Sequence, residues 1–156
     1  MPSEGQLAPD FTLNDQNGNP TTLSTLKGQV VILYFYPKDD TPGCTTQACS
    51  FRDSEAAIEV AGATVLGISP DTEASHAKFA TKYSLSFRLL ADPEQTVCQL
   101  YDVWRQKSMY GKTYMGVERT TFLIDESGTI RKVIPKVKVA NHAEAMLAEI
   151  ATFSGE

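Results

Sequence analysis

Residues Gln29 to Tyr36, QVVILYFY, run without a polar break after the first position and are mostly β-branched or aromatic. Such a run reads as a strand buried on both faces, which requires a sheet covered by other elements on each side. Pro37 stops it, because proline cannot continue a central strand. A chain carrying this run is therefore expected to build a layered α/β domain around it.

The rest of the pattern fits. Residues 1–28 are turn-rich, and the Asn17-Gly18 step between short β-like runs predicts a hairpin. A helix is expected from the Thr41-Pro42-Gly43-Cys44 stretch to about Ala61, then a second buried strand over Ala63–Ser69. Asp71 or Thr72 to Tyr83 reads as a helix and Phe87–Ala91 as a strand. Asp92-Pro93 caps another helix reaching about Trp104, and residues 105–118 read as a long loop. Thr120–Asp125 and Thr129–Ile134 form a hairpin around Glu126-Ser127-Gly128, and Asn141 begins a terminal helix. This alternation with an antiparallel tail implies one α/β domain over residues 1–156, with neither linker nor repeat. Phe79, Tyr83, Tyr101 and Trp104 fall at helical spacing and read as core.

Charge and targeting signals narrow the functions. The formal net charge is −5 and the basic residues are dispersed, which disfavours nucleic acid as a partner. No run approaches the ~20 apolar residues of a membrane helix, and the first residues lack a signal-peptide pattern. A cytoplasmic, membrane-free protein is the expectation. The three cysteines, Cys44, Cys49 and Cys98, are then better suited to redox chemistry than to structural bridging. Zinc would want four closely spaced ligands; two neighbouring cysteines and the remote His76 and His142 do not supply them.

Cys44 holds the most informative position. Thr41 suits a helix N-cap and Pro42 the first helical residue, while Gly43 admits a close approach. Cys44 then lies among N–H groups that lack intrahelical partners, a natural anion site. An unperturbed thiol is only ~3% thiolate at pH 7. The helix terminus contributes at most about 2 kcal/mol, or roughly 1.5 pKa units, whereas a nearby cation adds about one to three. The site therefore needs a fixed positive charge. Arg119, at the head of the buried run Thr120–Ile124, is a candidate, because its guanidinium cannot lose its charge. A surface pairing with Glu118 is the plainer reading of the same residue.

The stretch Pro37-Lys38-Asp39-Asp40-Thr41-Pro42-Gly43-Cys44 resembles the peroxiredoxin active-site pattern. TPGCTTQAC followed by Phe51-Arg52-Asp53 is similar to the peroxiredoxin Q, or bacterioferritin comigratory protein, branch. So are Tyr110-Gly111-Lys112, the stretch from Gly116 to Asp125, and the opening Ala8-Pro9-Asp10-Phe11. The likeness covers about residues 4–153. It implies a thioredoxin-like fold with an N-terminal hairpin extension and a central mixed sheet flanked by helices. It also implies Cys44 as peroxidatic cysteine, Arg119 as its guanidinium partner, Thr41 as a hydrogen-bonding hydroxyl and Pro37 as the shield of the site. Cys49 would be the resolving cysteine, with Cys98 as the alternative resolver or an inert core residue. The activity implied is reduction of hydrogen peroxide and organic hydroperoxides by a monomer. Thioredoxin or glutaredoxin would regenerate it, and no metal or organic cofactor would be needed. A thioredoxin-type disulfide oxidoreductase and a peroxide-sensing binding module are the competing readings.

Five positions along an α-helix separate Cα atoms by roughly 8.6 Å, beyond the ~4.4–6.8 Å that a disulfide tolerates. Cys44 and Cys49 cannot bridge on an intact helix. Structures of both redox states are expected to show about Thr41 to Phe51 unwound in the disulfide form; a disulfide on an intact helix would refute this.

Overall fold

The run after Gln29 does become the centre of a sheet. In a computed structural model, which describes residues 1–153, β3 (Val30–Phe35) is buried at every position. It lies third in a five-strand sheet of order β5-β4-β3-β8-β9, comprising β4 (Ala63–Ser69), β5 (Arg88–Ala91), β8 (Thr120–Ile124) and β9 (Ile130–Ile134). β3 and β4 are parallel, as are β4 and β5, whereas β8 runs antiparallel to both β3 and β9. The expected mixed sheet is present.

Alternation along β3 divides the interior into two cores. Val31, Leu33 and Phe35 face one core, with Val97 and Cys98 of α4 (Thr96–Leu100), Tyr101, and the N-terminal Phe11, Leu23 and Leu26. Val30, Ile32 and Tyr34 face the other. It is filled by α1 (Pro42–Asp53), Ile58 of α2 (Glu55–Val60), α3 (Glu73–Tyr83) and α5 (His142–Ala151). The hairpin of β1 (Thr12–Asn14) and β2 (Pro20–Thr22) forms as expected. Its turn is closed by the Asp15 carboxylate, which accepts from the N–H groups of Asn17 and Asn19.

Three boundaries differ from the sequence expectation. The first helix does not run unbroken to Ala61: Ser54 leaves helical geometry at φ −103°, ψ 12° and separates α1 from α2. Serine competes poorly as an internal helix residue because its hydroxyl favours non-helical backbones. The helix after Asp92 ends at Leu100, four residues before Trp104, and Asp102 follows in the left-handed region. Asp92 still satisfies its start, taking the N–H groups of Val97 and Cys98 at 3.2 and 2.8 Å. Residues 105–118 are no loop. They contribute to a second hairpin of β6 (Trp104–Met109) and β7 (Lys112–Val117). Its two-residue turn, Tyr110-Gly111, has positive φ at both positions, the geometry of a tight primed turn. Most of this hairpin is exposed, so no alternating apolar pattern was required of it. Tyr101 and Phe79 are core as expected, while Trp104 and Tyr83 are only partly buried. Among the described residues, no helix is long and apolar enough to cross a membrane.

Tyr34 shows how tightly the helical core is filled. Its ring stacks on Tyr36 and Phe51, with centroids 5.4 and 4.8 Å apart, and lies against Gly67 on the paired strand. A Cβ at Gly67 would sit 2.9 Å from the ring's Cζ and Oη. Gly67→Ala is therefore expected to lower stability by about 1–3 kcal/mol through overpacking, read from urea unfolding midpoints; an unchanged midpoint would contradict this packing.

Candidate functional site

Pairing of β3 with β8 builds the site. Phe35, the last residue of β3, is registered against Thr120, the first of β8. The residues following β3 and those preceding β8 are thus brought to one edge of the sheet. Cys44, in the first turn of α1, and Arg119, just before β8, meet there across 75 positions of sequence.

The geometry is close. Arg119 donates from Nη2 to Cys44 Sγ at 3.3 Å and from Nη1 to Gln47 Oε1 at 2.9 Å. Cys44 is 2% exposed. Gln47, three positions along α1 and so on the same face, is fully buried and orients the guanidinium. Gly43 eases the approach, because a Cβ there would lie a tight 3.1 Å from Nη2. The sulfur thus has a fixed positive charge beside it and lies in the turn whose N–H groups lack helical acceptors.

The other expected residues take varied places. Thr41 is the N-cap by backbone geometry, with Pro42 in the first helical turn. Its hydroxyl does not cap the helix; it donates to the Lys38 carbonyl at 2.9 Å. That bond orients the hydroxyl within the loop and leaves its lone pairs free to accept. Pro37 is partly buried at the entry to the same loop, and Cys49 is half-buried later in α1. All three cysteines are free thiols. Cys98 lies in the core on the far side of β3 from Cys44. Its thiol is pushed well above the usual cysteine range, first by burial and then by the Asp92 carboxylate.

Gln47, Lys107 and Tyr34 escaped the sequence reading. Lys107 of β6 is held below the usual lysine range by burial and by Arg119, an effect partly opposed by Glu118 and Cys44. Lys107 of the second hairpin thus lies within electrostatic reach of the same site, something visible in sequence only through the Tyr110-Gly111 turn. Tyr34 is raised well above the usual tyrosine range, first by burial and then by the charges of Cys44 and Asp39, so it stays a neutral hydroxyl. Gln47 could have been found from its spacing to Cys44 alone.

One group of side chains has the composition of a metal site. Single ligand atoms of Asp39, Asp71 and His76 lie within 4.8 Å of one another. Each is already engaged: His76 Nδ1 meets Asp39 Oδ2 at 2.7 Å, and Asp71 Oδ2 accepts from the Asp39 N–H and the Ser69 hydroxyl. This is a closed hydrogen-bonded network.

Comparison with known proteins places this arrangement in context. The AhpC/TSA family pattern matches residues 5–133. The chain is 53% identical over 146 residues to a putative peroxiredoxin bcp of Coxiella burnetii, covering 94% of this chain and 97% of that one. It is 50% identical to peroxiredoxin Bcp of Bacillus subtilis, covering 91% of each. A solved structure of a cysteine-to-serine mutant of PrxQ from Xylella fastidiosa superposes with a TM-score of 0.92 at 35% identity, covering 97% of both chains. The fold is accordingly the thioredoxin-like one expected.

α1 is also clamped from the side of α5. The Ala143 N–H donates to Ser50 Oγ at 3.1 Å, and His142 packs edge-on against Phe51. His142 is buried, hydrogen-bonded to Thr121 Oγ1, and depressed from 6.5 to about 4 by burial and by Arg119. A depressed histidine favours the fold while neutral. Its contribution is complete above pH 6.5 and is lost as pH falls towards 4, on the order of 3 kcal/mol in all. Urea unfolding across that window should show this loss in the native chain and a markedly flatter profile in His142→Asn; parallel profiles would remove His142 as the cause.

Proposed function

The chain belongs to the AhpC/TSA family and is a peroxiredoxin, a thiol-dependent peroxidase; from that premise we propose that Cys44 is the peroxidatic cysteine, Cys49 its resolving partner and Arg119 its charge partner. The observation that carries this reading is the 3.3 Å contact between Arg119 Nη2 and Cys44 Sγ at the head of α1.

The Cys44 sulfur, as thiolate, attacks one oxygen of a hydroperoxide. An S–O bond forms as the O–O bond breaks; sulfur is oxidised to sulfenic acid and the leaving oxygen departs as an alcohol or water after taking a proton. Negative charge develops on that leaving oxygen, where preorganised donors matter most. The Arg119 guanidinium and the first-turn N–H groups of α1 supply them. The Thr41 hydroxyl, fixed by the Lys38 carbonyl, holds the proximal end of the substrate by accepting a hydrogen bond from its O–H, and Pro37 shields the pocket. Cys49 then attacks Sγ of the sulfenic acid, forming the disulfide and releasing water. This step requires α1 to open.

Reduction of that disulfide restores both thiols. A dithiol protein of thioredoxin or glutaredoxin type suits it, because the opened segment exposes the bridge to attack. Hydrogen peroxide and organic hydroperoxides are the substrate class. The protein works as a monomer, one domain over residues 1–156, in the cytoplasm, where thiols are kept reduced. Cys98 has no part in resolution: it lies across the sheet from Cys44, with its thiol held protonated by burial.

Hydroperoxide consumption coupled to thioredoxin, its reductase and NADPH tests the roles separately. Cys44→Ser is expected to abolish turnover. Cys49→Ser should give a single oxidation of Cys44 and then stall. Arg119→Ala should slow the oxidation step by about 100-fold or more, the scale of losing a transition-state donor. Full activity in Cys44→Ser, or sustained turnover in Cys49→Ser, would overturn the assignment.

A further inference from the structure

The loop that walls the site is bolted down by residues outside the mechanism above. It comprises Pro37 to Thr41. Its central residue, Asp39, is buried, and burying a carboxylate is costly unless it is paired and hydrogen-bonded. Three side chains meet it, one from the residue just after β3 and two from α3. The Tyr36 hydroxyl donates to Oδ1 at 2.6 Å, the Ser75 hydroxyl donates to Oδ2 at 2.8 Å, and His76 Nδ1 lies 2.7 Å from Oδ2. The Asp39 N–H donates to Asp71 Oδ2 at 2.8 Å.

His76 is 0% exposed, and both its ring nitrogens face acceptors. Nε2 is 3.0 Å from the Leu90 carbonyl of β5, which can only accept, so Nε2 carries a proton. Nδ1 faces the carboxylate oxygen, and a 2.7 Å contact there needs a proton between the two atoms. Asp39 already receives two hydroxyl donors, an environment suited to its ionised, acceptor-only form. The ring is then an imidazolium, donating to the loop on one side and to the sheet on the other. Besides Asp39, the polar groups about the ring are the Tyr36 hydroxyl at 3.4 Å from Nδ1, the Asp71 carboxylate of the same network and the Leu90 carbonyl.

We propose that Asp39 and a doubly protonated His76 form a buried ion-paired bolt, and that these two are positioning residues that hold the Pro37–Thr41 wall in register with Cys44 for peroxide attack. This deepens, and rests on, the assignment of Cys44 as the peroxidatic cysteine. Asp40 adds a weaker exposed tie to α3, through Lys82 Nζ at 2.8 Å and the Tyr83 hydroxyl at 2.9 Å. Among the described residues, the side-chain hydrogen bonds of Asp39, Asp40 and Thr41 run to α3, to Tyr36 and within the loop, not to α1. When α1 opens for the Cys44–Cys49 disulfide, the part of the wall from Pro37 to Asp40 stays in place on α3 and β5, and unwinding begins at Thr41.

Two measurements on the reduced, full-length protein decide this. Long-range 1H–15N spectra at pH 7, with the second ring assigned through His142→Asn, should show both His76 nitrogens protonated; a neutral tautomer would overturn the bolt. In stopped-flow oxidation by hydrogen peroxide, Asp39→Asn and His76→Leu should slow Cys44 oxidation by about tenfold or more, the scale of a small misplacement of a reacting geometry. Alkylation of Cys44 by iodoacetamide, which needs an ionised sulfur but no peroxide-shaped wall, should stay within about twofold of the native rate. If both rates fell together, or the peroxide rate were unchanged, the positioning role would be refuted. Should His76→Leu fail to fold, Asp39→Asn and the native spectra carry the test. Retained peroxidase activity in Cys44→Ser would instead remove the underlying assignment, whatever the state of His76.

Discussion

A guanidinium held 3.3 Å from a buried sulfur is what makes the rest of this site intelligible. Arginine keeps its charge under all ordinary conditions, so the contact supplies a positive field that no proton loss can switch off. Several otherwise unrelated features serve it. The Phe35–Thr120 register brings the two segments to one edge. Gly43 leaves room for Nη2. Gln47 takes the second arm of the fork and fixes its direction.

The same helix that places Cys44 opposes the next chemical step. α1 is anchored by Phe51 in the core, by the Ser50–Ala143 contact, and by Arg52 Nη1 donating to the Tyr83 carbonyl at 2.8 Å. Yet its regular geometry holds Cys44 and Cys49 too far apart to bridge. On the proposed mechanism, the helix that presents the thiol in the reduced protein must open locally before the disulfide can close. Its break at Ser54 separates it from α2.

How much of this was legible in the chain varies with the range of the signal. The central strand, the helix starting at Pro42 and the N-terminal hairpin follow from patterns a few residues long. The β6–β7 hairpin did not, because its exposed strands need no apolar alternation; only Tyr110-Gly111, 98% exposed at the tyrosine, marked its turn. The helix break at Ser54 was missed because a single weak helix former seldom ends a helix on its own. Thr41 was readable as a cap position, but not the direction of its hydroxyl, which turns to Lys38.

Chain order and local chemistry by themselves determined the layered α/β domain, the cysteine at a helix start and the impossibility of a bridge on an intact helix. Each depends on backbone preferences that act over a few neighbours. Only the tertiary structure decided which cation meets the sulfur, which face of the sheet hides Cys98, and why Asp39 and His76 belong together. Those answers rest on strand register and on burial across dozens of intervening residues. A side chain's charge partner is set by what packing brings within a few ångströms of it, and no local pattern encodes that distance.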